Sequence, residues 1–217
     1  MVDDRRRRAA AICGLWSAVW AFVVPAVGSL RADYSQSSQY ISELGARGEP
    51  LGSVVSIAGF GVTGLLVFAF LALARPELPA GALSTTGVVC FAGVGVAYVV
   101  AAVFRCDPGC PSEGSLSQSI HSGSALFEYL GGVIGLLFLA AAFRSAAGWR
   151  GAAAPSVLAA LLVAIGFLGM LQPSLQSWRG LSQRIADGAI FVWIAWLSLR
   201  LLRASALIAS PRAIRDA

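Results

Sequence analysis

Six apolar runs divide the chain, and polar or turn-forming segments separate them. The runs cover residues 9–30, 51–74, 82–104, 123–143, 152–171 and 185–202. Each is close to the roughly 20 residues that carry a helix across the hydrocarbon core of a bilayer. A backbone crossing lipid must satisfy its own N–H and C=O groups, which a helix does within one segment. The short alternating strands of a membrane barrel are not what these runs look like. The pattern therefore predicts an all-α, polytopic membrane protein: one domain over residues 1–217, a bundle of six transmembrane helices. The first run follows the basic block Arg5–Arg8, an arrangement shared with signal peptides. It is longer than the 7–15 residues of a signal-peptide core, and more apolar runs follow, so it is read as an uncleaved first span.

Composition agrees with a lipid solvent. Hydrophobic residues make up 57% of the chain and charged ones 12%, against about 25% charged in a soluble domain. All 16 basic residues are arginines, and the net charge is +5. They stand at the ends of the apolar runs, where they meet lipid headgroups, so the positive charge is not read as a nucleic-acid surface. Their distribution also orients the chain. Arg5–Arg8, Arg75, Arg144, Arg150, Arg200, Arg203, Arg212 and Arg215 fall on the side of both termini. Only Arg31, Arg47, Arg105, Arg179 and Arg184 fall on the other. The rule that cytoplasmic loops are the basic ones then expects both termini in the cytoplasm of a cell-membrane protein. All three long polar loops would lie on the outer face. Glycines at 59, 61, 64, 93, 95, 131, 132, 135, 166 and 169 are expected to be packing notches, because small residues let membrane helices approach closely.

Candidate chemistry gathers around one polar stretch, Arg105–Gly132. Cys106 and Cys110 flank the turn-forming Asp107-Pro108-Gly109, and on an outward face they are expected to form a disulfide. His121 is the lone histidine. That argues against bis-histidine haem or a multi-histidine zinc site, and no metal or other cofactor is expected. His121 is either a helix cap or a general acid–base group. Glu128 follows seven residues later on the same helical face, about 10 Å deeper at 1.5 Å per residue. A carboxyl group there must be protonated, paired or in a wet cavity. Glu43, just before the second run, and Asp107 complete the candidate catalytic set. Ser42, Arg184 and Asp187 are candidates for binding substrate, although Arg184 and Asp187, one helical turn apart, are most simply an intrahelical ion pair.

A resemblance extends over most of the chain. Ile41-Ser42-Glu43-Leu44-Gly45, Phe104-Arg105-Cys106-Asp107, His121 and Gly180-Leu181-Ser182-Gln183-Arg184, in this order and spacing, resemble an uncharacterised integral-membrane family, domain-of-unknown-function family 998. The resemblance implies a multi-helix membrane fold and groups Ser42, Glu43, Asp107, His121 and Arg184 in one site. It implies no particular activity. Three functions are compatible with the residues. One is an intramembrane acid–base enzyme acting on a lipid or isoprenoid, with acid-initiated terpene cyclisation as a variant. The others are a proton-coupled transporter carrying its proton on Glu128, and a non-catalytic assembly or sensor protein. Membrane lipids are the expected partners, and oligomeric state is left open.

Overall fold

The computed structural model describes residues 4–28 and 30–213, and side chains as far as Arg203. Ser29, the last residue but one of the expected first span, and Arg215 of the basic side lie outside the described residues, and Arg212 is described in its backbone alone. Six helices are long and apolar enough to cross a membrane, and among the described residues there is no strand. They are α1 (Asp4–Gly28), α2 (Gly52–Glu77), α3 (Ala82–Val103), α4 (Leu116–Ser145), α5 (Ala153–Leu171) and α6 (Arg179–Ala213). A 3-10 segment, Ala147–Ala152, leads into α5, and another, Pro173–Trp178, leads into α6.

Each helix packs on its neighbours in sequence, and α6 closes back onto α1, so the six form a ring. Lipid tails are as apolar as leucine, so what holds such a ring together is close packing rather than burial from water. Glycine provides it between α3 and α4. A Cβ on Gly131 would lie 2.5 Å from the Cys90 carbonyl oxygen, and one on Gly135 would lie 2.7 Å from the Phe91 nitrogen. The two backbones touch there. Gly166 brings α5 onto α6 in the same way, 2.5 Å from the Ser182 carbonyl. The middle of the ring is filled by rings. Phe91 meets Trp193 at 5.0 Å between centroids, and Tyr98 meets Phe191 edge-on at 5.3 Å. Ile12, Trp16, Leu158, Ile165 and Val192 point outward and stay exposed, as side chains facing lipid do.

α2 is not regular. Val55–Gly61 is a π-helical turn, whose wider spacing leaves carbonyls without their usual helical donors. The Trp20 indole N–H of α1 donates to one of them, Ala58 O.

Three helices start earlier than their apolar runs: α1 at Asp4, ahead of its basic block, and α4 and α6 at the other end of the ring. α4 begins at Leu116, where Ser115 caps it by accepting from the Gln118 N–H at 3.2 Å. The polar stretch Ser117–Ser122 is thus the first turns of a helix. α6 likewise begins at Arg179. Both polar turns lie beneath the connecting loops, which supply their partners.

Those loops make a cap over one end of the ring. The cap consists of residues 30–51, 104–115 and 172–178. The Arg47 N–H donates to Cys106 O at 2.9 Å, and the Leu181 N–H to Ser37 O at 2.9 Å. Arg105 clamps the end of the first loop, donating to Gly45 O at 2.7 Å and to Ser53 Oγ at 2.7 Å. Gly180 lets that loop lie on the start of α6, since a Cβ there would sit 2.8 Å from both Gln36 O and Gln39 N.

Candidate functional site

Beneath the cap lies a cavity of about 610 Å³, a size that suits a small-molecule ligand. Tyr40, Ile41, Ser42 and Cys110 line its cap side. His121, Ser124 and Glu128 descend one wall on α4, and Asp187 faces them from α6. Leu126 and Leu171 also line it, and they are 48% and 59% exposed on the outer surface of the ring. The cavity therefore reaches the lipid-facing side between α4 and α5. Below it the ring is closed by Leu136, Phe91, Ile190 and Ile194, all fully buried.

The deep end holds two carboxyl groups from different helices. Glu128 and Asp187 are both buried, and their carboxyls are within hydrogen-bond reach of each other. A directed chain of hydrogen bonds arrives at Asp187 from the cap. The Ile41 N–H donates to Gln183 Oε1 at 2.6 Å. That fixes the amide so that its Nε2 donates to the Tyr129 hydroxyl at 3.4 Å. The Tyr129 O–H then donates to Asp187 Oδ1 at 3.0 Å. Tyr98 lines the same cavity as Asp187. Glu128 has no comparable donors, and no described protein group bonds its buried Oε1.

His121 sits nearer the cap. Its Nδ1 donates to Phe104 O at 3.0 Å, the residue that ends α3. The histidine thus caps the C-terminus of α3, not the start of its own helix, and a basic ring suits that position. The bond also fixes the tautomer of the neutral ring: Nδ1 carries the proton and Nε2 keeps the lone pair.

The remaining polar groups hold the cap together. Glu43 accepts from the Tyr40 N–H at 2.8 Å, from Gln39 Nε2 at 3.1 Å and from Arg179 Nη2 at 3.1 Å. Arg179 also stacks over the Tyr40 ring at 4.6 Å. Burial pushes the Tyr40 phenol above its usual range, so it stays a neutral donor. Asp107 accepts from the Ser115 N–H at 2.7 Å and pairs with Arg47. The Ser115 N–H, ahead of the Arg47 charge, holds this carboxyl below the usual range. Cys106 and Cys110 are joined as a disulfide. Among the described residues no three of His, Cys, Asp and Glu stand together to hold a metal ion.

Residues 12–200 match the family described as "Protein of unknown function (DUF998)". The chain belongs to that family. No curated protein and no solved structure matches it.

In this DUF998 protein the sequence candidates separate into two groups. Ser42, Cys110, His121, Glu128 and Asp187 line the cavity. Glu43, Asp107 and Cys106 stand in the cap that covers it, and Arg184 reaches the cap from α6. The expected ion pair between Arg184 and Asp187 does not form. The Arg184 guanidinium donates instead to Gln39 O at 2.9 Å and to the Tyr34 hydroxyl at 2.6 Å. The cap reaches Arg184 first, while Asp187 turns toward Glu128. Tyr98, Tyr129, Gln183 and Arg179 belong to the site without having been singled out. Gln183 carried a signal, since it lies in the Gly180–Arg184 motif. The tyrosines carried none, because an aromatic residue in an apolar run reads as packing or as an interfacial anchor.

Proposed function

We propose that the cavity is an intramembrane acid–base site acting on a lipid or isoprenoid, in a cell membrane, with the cap on the outer face. The observation that carries this reading is the contact between Glu128 and Asp187 at the deep end of a cavity that opens toward lipid. Two carboxyl groups in contact and out of water favour holding one proton between them, because two like charges there are costly. Such a pair can give a proton to a substrate and take one back. Asp187 accepts from the Tyr129 hydroxyl and is the better-stabilised anion. Glu128, without such donors, is the acid. His121 Nε2, nearer the rim, is the second base. An apolar chain would enter past Leu126 and Leu171 while its reacting end reaches the acids. Acid-initiated cyclisation of an isoprenoid is one reaction of this class.

The test is the lipid extract of cells lacking the protein. A lipid should accumulate on deletion and be cleared by the wild-type protein but not by Glu128→Gln. An unchanged extract, or full rescue by Glu128→Gln, overturns the proposal. A proton-coupled transporter is the second reading, favoured by the same proton-sharing pair. It requires a path below Glu128, where the ring is packed. Proton-driven uptake into vesicles, lost in Asp187→Asn, would decide for it.

The orientation has its own test. With Cys13 and Cys90 replaced, cysteines introduced as Glu113→Cys and Gly148→Cys should be labelled from outside and inside respectively. The reverse pattern overturns the outward cap.

A further inference from the structure

The charge balance of the cavity narrows its ligand, an inference that rests on the acid–base reading above. The cationic side chain on its lining is Arg179. It is already spoken for, by Glu43 at 3.1 Å, by Ser38 O at 3.0 Å and by the face of Tyr40. Among the described residues no unpaired guanidinium lines the cavity to receive a phosphate. Its deep end instead presents the Glu128–Asp187 pair, and Glu128 Oε1 is buried with no protein donor. Glu128 as a whole is 8% exposed. An unpaired buried oxygen of this kind is costly, and a ligand N–H or O–H would remove the cost.

Aromatic rings add a second, independent observation. Tyr40, Phe60, Tyr98, Tyr129 and Phe167 all line the cavity. Tyr129 and Phe167 stack at 5.2 Å, and Phe60 and Tyr98 meet edge-on at 6.0 Å. Aromatic faces attract a cation held close to them, and most strongly where water is excluded. A carboxyl pair sharing one proton carries one negative charge, which a single positive charge neutralises.

We propose that the cavity selects an amphiphile bearing one positive charge next to an apolar chain, and rejects phosphorylated lipids. The charge is either a protonated amine head, which neutralises the singly protonated pair, or one that develops on the substrate as the pair gives up its shared proton, which leaves two carboxylates facing it. In both cases an amine on a chain of matching length binds as the charged species does.

The test compares N,N-dimethyldodecylamine, dodecanol and dodecyl phosphate binding to the full-length protein in maltoside micelles at neutral pH, by titration calorimetry. The amine should bind at least tenfold more tightly than the alcohol, and the phosphate should bind least. Asp187→Asn should reduce the amine's advantage to less than threefold while dodecanol binding persists, which shows that the variant is folded. Dodecyl phosphate binding as tightly as the amine, or equal binding of amine and alcohol, overturns the proposal. A substrate whose reaction depends on Glu128 but does not compete with the amine overturns it too, and leaves the acid–base reading standing. A natural amine-headed lipid that competes without being altered points to the head as the source of charge. Competition by a neutral lipid that is converted points to charge developed in the reaction.

Discussion

The two ends of the ring use the same residue type for different purposes. At the capped end arginine cross-links backbone. Arg105 and Arg184 donate to loop carbonyls and Arg179 to Ser38 O, while Arg31 holds Glu49 at 2.6 Å. At the opposite end the connections are short. Arg144, Arg150 and Arg203 are exposed there, with no side-chain partner among the described residues. That end is fastened by Arg7 and Arg6 on Glu77, at 2.8 and 3.2 Å, by Arg75 on Thr85 at 2.6 Å and by Arg200 over the Trp149 ring at 4.9 Å. Arginine is suited to the first use because its planar guanidinium donates in several directions and remains charged. The lesson concerns charge counting. The five arginines of the capped side all have partners inside the protein, whereas Arg144, Arg150 and Arg203 of the other side are left for headgroups. A count of arginines in the sequence therefore does not measure the positive charge that each face leaves free.

The comparison is sharpened by substitutions at each end, beginning with the largest effect. On the acid–base function proposed above, Glu128→Gln and His121→Ala should each lower turnover by about 10²-fold or more, with insertion and helix content unchanged. Activity close to wild type in both would reduce the cavity to a structural void. In the cap, Glu43→Ala removes the partner of Arg179 and the acceptor of three donors. It should cost about 3 kcal/mol, read as a lower midpoint of thermal unfolding in detergent. A midpoint equal to that of wild type would mean that the cap does not depend on this pair.

The disulfide is expected to matter less. It closes a short loop, and replacing both Cys106 and Cys110 by serine should cost about 2 kcal/mol on loop-closure entropy. Two free thiols in unreduced protein, found by peptide mass spectrometry, would contradict the linkage itself.

Acid should loosen the cap through Asp107. Its folded-state value is held below the ordinary one, so its contribution is complete above the ordinary carboxylate pKa of about 4. The contribution is lost as the pH falls through the lowered folded-state value. The difference in unfolding midpoint between wild type and Asp107→Asn should therefore be constant at neutral pH and shrink below about pH 4. A difference that grows on acidification would refute the assignment. Smallest of all, Arg144→Ala at the far end should stay within about 0.5 kcal/mol of wild type. A larger loss would reveal a partner for that end.

Much of the molecule could be read from its hydrophobic pattern. Six spans were legible because lipid forces every crossing backbone into a helix and marks it with an apolar run. The glycine notches were legible because close helix approach demands a missing side chain. Helix starts were less so. Hydropathy reports exposure to lipid, not helicity, and the polar first turns of α4 and α6 are solvated by the cap rather than by lipid. The seven-residue interval between His121 and Glu128 placed both on one face of α4, which is a property of helical period alone.

What that face meets was decided by tertiary structure. Glu128 and Asp187 are 59 positions apart in sequence and on different helices, and nothing local says that they touch. The local signal at Asp187 was Arg184 one turn away. That spacing allows an ion pair but does not require one, and the loop at Tyr34 and Gln39 provides partners that the sequence does not place. Period and hydropathy specify which side of a helix is apolar and how long it is. Which helix stands opposite depends on how six faces close into a ring, and that closure brought two acids, two tyrosines and a glutamine into one cavity.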